Sequence, residues 1–296
     1  MTYSCCILET EDYDSWNEFV TACPGGTIYS DTRYLEVLSA VTGNDFRVLS
    51  VKEDGVIVAG IALFEQNTRS GPAIHPRLLL QYNGFLLRPS PSTYPSRMTS
   101  ELIGSTDAIA DFIEMQRYAR SIIKVKWPFE DARVFLARGW YVTPNYTYVV
   151  QLSDLAGQWK KVSRNLRRLI KKCETSGVVV TRDDDFDSFY KMHMETAERK
   201  GAPIYLAEPQ FRSYFKQLSD KGMARLYHAR IDGEQSIASQ LVLAGDHANT
   251  ETVSACADSQ HLASGANAFL RWKVFEDLAA DEYASNDLTD LSLIHI

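Results

Sequence analysis

A faint copy of the chain within itself is the feature that most limits what it can fold into. Tyr13-Asp14-Ser15-Trp16 recurs as Phe186-Asp187-Ser188-Phe189. Gly25-Gly26-Thr27-Ile28-Tyr29 recurs as Gly201-Ala202-Pro203-Ile204-Tyr205. An Asp54-Gly55 turn between two apolar runs (Val48 to Leu63) recurs as Asp232-Gly233 between Leu226 and Leu243. Three matches in one order, at nearly one offset, mean duplication of a unit of under roughly 180 residues. The chain of 296 residues therefore holds two copies of one grammar, with a boundary near position 150.

The grammar is a helix (Ser15–Thr21; Phe186–Arg199), a Gly-containing loop ending in Ile-Tyr, and a second helix (Thr32–Val41; Pro209–Lys221). The Asp-Gly hairpin follows, and then strands at Leu78–Tyr82 and Glu251–Ala257. Helices and strands in this mixed order read as an α/β (α+β) fold around a twisted sheet. Residues 66–100 carry five prolines and read as a surface connection. Ile122–Val125 and Tyr146–Leu152 read as strands closing the first copy.

The most concentrated chemical signal is Trp159 to Lys172, with seven basic residues in fourteen and no acid. Lys160, Arg164, Arg167, Arg168 and Lys171 fall on one face of a single helix, and Trp159, Val162, Leu166, Leu169 and Cys173 on the other. The net charge is −7, so the remainder carries −7 − 7 = −14 and the cations cluster against their background. Such a ridge suits phosphate, in CoA, a nucleotide sugar, a lipid-linked pyrophosphate or tRNA. The alternative is a solvated face paired with acids such as Asp183 to Asp185. Gly265-Ala266-Asn267 opens a helix over 267–279. Its amides and dipole suit a pyrophosphate, or are simply capped by Ser264 or Asn267.

The order of elements resembles the GNAT acyltransferase fold, and the tandem pair its FemAB-like branch. The resemblance is carried by Asp131, Arg133, Phe135, Gly139 and Trp140, by Tyr146 to Val150 with Arg164 to Arg168, by Arg199 to Pro203, and by Gly265 to Leu270. It implies two tandem GNAT-like units, 1–150 and 151–290, and transfer of an acyl or aminoacyl group to an amine of a small molecule or envelope precursor. The donor is acyl-CoA or aminoacyl-tRNA, with no tightly bound cofactor. The resemblance ranks Lys200 and Tyr205 first as catalytic residues. An amine must lose a proton in such a transfer, which makes Glu195, Glu198, His193 and Asp287 candidate bases; the alternative for the acids is a solvated helix face, and for His193 simple packing. Arg164, Arg167, Arg168, Lys171, Gly265 and Asn267 are the implied donor contacts. Gln260 to Ala266 departs from the R/Q-x-x-G-x-G/A pattern of acyl-CoA-binding members, and no long heptad pair supplies the arm common in tRNA-using ones.

The composition bounds the rest. Five cysteines without metal-ligand spacing read as reduced thiols. Asp183-x-Asp185-x-Asp187 lacks the Gly and Glu of a calcium loop and reads as a helix start, so no metal is expected. The longest apolar run, Val56–Phe64, cannot span a bilayer, and the first cation is Arg33. The expectation is a cytoplasmic protein with no transmembrane segment and no DNA partner. The rival class is a non-catalytic binder of phosphorylated ligands or nucleic acid on a degenerate GNAT scaffold. Residues 291–296 read as the translation of a transposase mosaic-end adapter. A non-native tail there implies a truncated second unit ending in an unprotected strand edge.

Overall fold

The structure is a computed structural model, and it describes residues 3–77 and 79–289. The chain divides into two compact units between Asn145 and Tyr146. The expectation for 291–296 lies outside the described residues.

The first unit runs β1 (Cys5–Ile7), α1 (Tyr13–Ala22), α2 (Thr32–Thr42), β2 (Asp45–Glu53), β3 (Val56–Thr68), β4 (Gly71–Ile74), β5 (Leu86–Leu87), α3 (Pro95–Met115), β6 (Arg120–Ser121) and α4 (Arg133–Ala137). Its sheet has the order β1-β2-β3-β4-β6, with β5 paired to β3. Among the described residues only β4 and β6 of this sheet are parallel, joined by the α3 crossover. Ile109, Ala110 and Ile113 of α3 pack on Leu49, Val51, Ile61 and Leu63.

The second unit runs β7 (Val149–Gln151), α5 (Leu155–Lys161), α6 (Arg164–Thr175), β8 (Val178–Arg182), α7 (Phe186–Lys200), α8 (Glu208–Asp220), β9 (Ala224–Ile231), β10 (Gln235–Leu243), β11 (Asn249–Ala257), α9 (Ala266–Ala280) and β12 (Ser285–Asp287). Its order β7-β12-β11-β10-β9-β8 repeats that of the first sheet strand for strand, with β7 added at one rim. The parallel pair, β11 and β12, is again the one spanned by a helix, α9. Both Asp-Gly turns hold two successive left-handed residues, Asp54 (φ 50°) and Gly55 (φ 81°), and Asp232 (φ 50°) and Gly233 (φ 76°). That conformation matches the strand twist and is why Asp-Gly occupies both places. Each hairpin also carries one register shift near its turn. The molecule is thus mixed α/β, two tandem units of like topology, each a sheet flanked by helices.

Four local expectations are corrected. Tyr146–Leu152 does not close the first copy. Its core, β7, pairs antiparallel with β12, and Thr147 Oγ1 donates to Asp287 Oδ1 at 2.5 Å. Alternation identifies a strand, but a strand's partner is set by distant residues. For the same reason the outer edge of β12 is not bare, because β7 covers it. Residues 66–100 are not one loop: they contain the end of β3, β4, β5 and the first turns of α3. Pro95 sits at the start of α3, where its missing N–H costs nothing. The strand expected at Leu78–Tyr82 is replaced by β4, with an isolated bridge between Arg77 and Leu80.

Among the described residues no helix is long and apolar enough to cross a membrane.

Candidate functional site

The basic segment is two helices, not one. Ser163 caps α6 by accepting from the Leu166 amide (3.3 Å), and Val162 is extended. A serine competes well for that capping role, which breaks the run there. Lys160 and Lys161 therefore end α5, while Arg164, Arg167, Arg168, Lys171 and Lys172 lie on α6. The buried stripe of α6 is Ile170 and Cys173, and Leu166 is exposed. Arg164, Arg168 and Lys171 are exposed and Arg167 is half-buried.

Among the described residues, none of the seven cations takes an acidic partner. The acids that follow the ridge in sequence are engaged elsewhere. Asp183 and Asp185 hold Arg230 at 3.1 and 2.9 Å, and Asp184 accepts from Ser219. Most arginines of the chain are compensated. Arg138 alone binds Asp107, Asp111 and Glu114.

Helix α6 sits against the start of α9 through Leu169. Gly265 is the N-cap, at φ 85°, and no side chain bonds across from it. A Cβ there would lie 3.0 Å from Leu169 Cβ and 3.2 Å from the Leu169 carbonyl oxygen. Glycine is thus required twice, for its backbone angle and for the approach of α6. Ser264 accepts from the Ala266 amide (3.1 Å), so one orphan donor is capped as anticipated, whereas Asn267 is exposed and caps nothing. Arg164 to Arg168 lie one to five residues before Leu169, roughly 2–8 Å along the α6 axis. The structure therefore packs the start of α9, with Gly265 and Asn267, on the helix that carries Arg164, Arg167 and Arg168. The departing stretch Gln260–Ala266 still delivers a glycine-led helix start, through a 3-10 turn over Ser259–Ser264.

The α7 side of the sheet holds a second polar group. Between Leu241 and Val242 of β10 the register shifts, leaving Val253 of β11 as an extra residue. The Val253 carbonyl accepts from the Tyr205 hydroxyl at 3.2 Å. The Tyr205 ring packs on His193, with centroids 5.0 Å apart. His193 is buried; its Nδ1 meets Ser254 Oγ at 3.2 Å and its Nε2 has no hydrogen-bond partner. Burial holds its pKa down at about 4, so the ring is neutral at ordinary pH. Glu195 is half-buried on α7. Burial pushes the Cys256 thiol far up, and the charge of Glu195 adds to the effect. Lys200 is exposed at the last position of α7. No hydrogen bond or ion pair among the described residues joins Lys200 or Glu195 to Tyr205. Asp287 is buried and accepts from Thr147 Oγ1 and the Thr289 amide.

Sequence reading missed Ser254 and the bulge, because register is invisible in one strand. It also missed the ladder Gln240–Thr252–Asn286–Thr250 across β10, β11 and β12, whose bonds span 2.8–3.0 Å. Four polar residues on one face of three strands was the available signal.

One group among the described residues has metal-ligand geometry, Asp183, Asp185 and His228, with ligand atoms within 4.8 Å of one another. Arg230 Nη2 already bridges both carboxylates there. Asp185 also caps α7 by accepting from Ser188, so this acidic run is a helix start, as expected.

Residues 160–290 match the model of the acetyltransferase (GNAT) domain. That match falls within the second unit. The whole chain shares its fold with FemX at 11% identity, with a TM-score of 0.73, covering 98% of this chain and 90% of that one. It is also similar to the C-terminal domain of a proposed lysylphosphatidylglycerol synthetase from Agrobacterium fabrum (12%, TM-score 0.55, 94% and 77% covered). A tandem GNAT protein of the clavulanic acid pathway is a further similar structure (11%, TM-score 0.50, 99% and 92% covered). None of the curated proteins matches the chain.

Proposed function

We propose that this protein is an N-acyltransferase, moving an acyl or aminoacyl group from an activated, phosphate-bearing donor to an amine. The observation that carries the reading is the uncompensated ridge of α6 beside the glycine-led start of α9, inside a GNAT domain. Unpaired arginines and helix-start amides bind phosphate by charge and by directed hydrogen bonds together. The names of the similar structures support both donor classes. The lysylphosphatidylglycerol synthetase is in keeping with aminoacyl transfer, and the tandem GNAT protein, described without its AcCoA, with acyl-CoA.

The chemistry needs little covalent help from the protein. The amine nitrogen attacks the donor carbonyl carbon and a C–N bond forms. The tetrahedral oxyanion collapses, breaking the C–S bond of a thioester or the C–O bond of an aminoacyl ester. The proton lost by the amine ends on the departing thiolate or alkoxide. His193 is the residue we assign to that proton, with Ser254 fixing its ring and Tyr205 packing against it. Tyr205 has a positioning role, because its own hydroxyl is engaged by Val253.

The test is release of free thiol from acyl-CoA, or deacylation of aminoacyl-tRNA, on addition of a panel of amines. Transfer from either donor supports the reading. Tight donor binding with no transfer to any amine favours the second reading, a phosphate-ligand or nucleic-acid binder. That second reading draws on the departure of Gln260–Ala266 from the pattern of acyl-CoA-binding members.

A further inference from the structure

We infer that the cleft between α5, α6 and α9 seats the adenine ring of the donor, whose phosphates then pass Lys171 toward the start of α9. This rests on the acyl-donor reading of the ridge and adds a base-binding subsite to it. The cleft has a volume of about 370 Å³. Two indoles form its walls, Trp159 of α5 and Trp272 of α9, with centroids 4.6 Å apart and planes inclined by 54°. Rings this close touch one another, so a flat aromatic guest stacks on the face of one of them that lines the cleft. Leu155 and Ile170 complete the apolar lining.

The charges fix what the guest carries. Lys273 is paired to Glu174 (3.1 Å) and Glu276 (2.9 Å), and Glu276 also holds the Trp272 indole N–H at 2.7 Å. The fourth charged residue lining the cleft, Lys171, has no acidic partner among the described residues. The lining thus has no net charge, since two lysines face two glutamates. It takes a neutral ring, while the one cation left over sits on the side of the basic ridge. Trp272 lies six residues beyond Ala266, about 9 Å along the helix, a span that a nucleoside and its phosphates can bridge. Both donors that the ridge fits end in adenosine. They differ in reach. In aminoacyl-tRNA the acyl ester sits on the terminal adenosine itself, whereas in acyl-CoA a long arm separates the two. The cleft lies on the α9 side of the sheet and His193 on the other, since Ala257 packs toward α9 and Cys256 toward α7. That separation suits the longer reach.

Calorimetric titration of the intact protein with CoA, adenosine 3′,5′-bisphosphate, phosphopantetheine and a short RNA ending in CCA tests the assignment. We expect adenosine bisphosphate to bind. Trp272→Ala and Trp159→Ala should each weaken it about tenfold or more, as loss of one stacking platform does. Trp272→Phe should retain most of the affinity, and phosphopantetheine should bind all three variants alike. CoA binding without RNA binding names the longer donor, and the reverse names tRNA. Folded alanine variants that bind every probe as the parent does would overturn the cleft assignment, and so would binding by the parent of neither adenosine bisphosphate nor the RNA. The underlying reading fails separately: adenosine bisphosphate bound in a Trp272-dependent way, with no transfer to any amine, sinks the acyltransferase and leaves the cleft standing.

Discussion

The two units share a topology and differ at each place where chemistry would occur. The helix position that is His193 in the second unit is Val20 in the first, four residues after the matched aromatic in each case, and Val20 is fully buried. Helix α9 opens on Gly265 against a basic ridge, whereas α3 opens on Tyr94 and Pro95, whose ring nitrogen has no proton to offer. Strand β11 runs nine residues with a bulge, and β4 only four in regular register. Tyr29, the counterpart of Tyr205, is buried between Tyr34 and Tyr82 rather than set against a histidine. Duplication preserved what folds the sheet, and the first unit kept apolar packing where the second has polar groups.

The largest effect should come from the ridge. Reversing Arg164, Arg167 and Arg168 to Glu should raise the donor Kd by about 100-fold or more, since each charge-assisted contact contributes on the order of 1.5–3 kcal/mol. Melting temperature should hardly move, because exposed changes cost within roughly 0.5 kcal/mol. The same reversal in the first unit, at Arg33, Arg88 and Arg97, should leave donor binding within about threefold. Equal losses from both triples would erase the distinction between the units.

Exchanging the paired helix residues comes next. His193 is neutral in both folded and unfolded chains above pH 6.5. As pH falls, the unfolded chain takes a proton that the buried ring refuses until about 4. Stability is therefore lost across that window, by about 2–3 kcal/mol. Urea unfolding at pH 7 and pH 4.5 should show the loss in the parent and a smaller one in His193→Val, which should also lose transfer activity by about 100-fold. Val20→His should introduce the same acid sensitivity into the first unit.

Gly265→Ala should destabilise by about 2 kcal/mol, combining a left-handed backbone with the close approach of Leu169. Thermal unfolding reads it, and donor affinity should fall with it. The smallest effects belong to the hairpins. Gly55→Ala and Gly233→Ala should each cost about 1 kcal/mol, and equally, since a Cβ meets nothing within 4 Å at either. Unequal costs would mean that the turns are not equivalent.

What was legible in the sequence follows the same division. Helix α7, expected at Phe186–Arg199, ends one residue later, because periodicity and the Asp185 cap are local signals. The Asp-Gly hairpins were legible for the same reason. Strand partnership was not, so β7 was assigned to the wrong sheet and β4 was displaced by proline-based reasoning. At the site, the charge density of α6 was plain in the sequence, but its lack of acidic partners was not, because Asp183 and Asp185 find Arg230 only once β8 and β9 pair. Trp159 and Trp272 stand near opposite ends of the second unit's sequence and meet only through the packing of α5 on α9.

The placement of β7 also bears on synthesis. Thr147 waits for Asp287, 140 residues further on, before its rim of the sheet can form. Contacts of such long sequence separation are slow to close, because the loop between them must first lose its freedom. On the ribosome, at roughly 5–20 residues per second, the first unit has at least several seconds to complete its own sheet while β7 has nothing to pair with. The exposed Tyr146, Tyr148 and Val149 are then available to chaperones, and to other nascent chains, for longer than any strand of the first sheet.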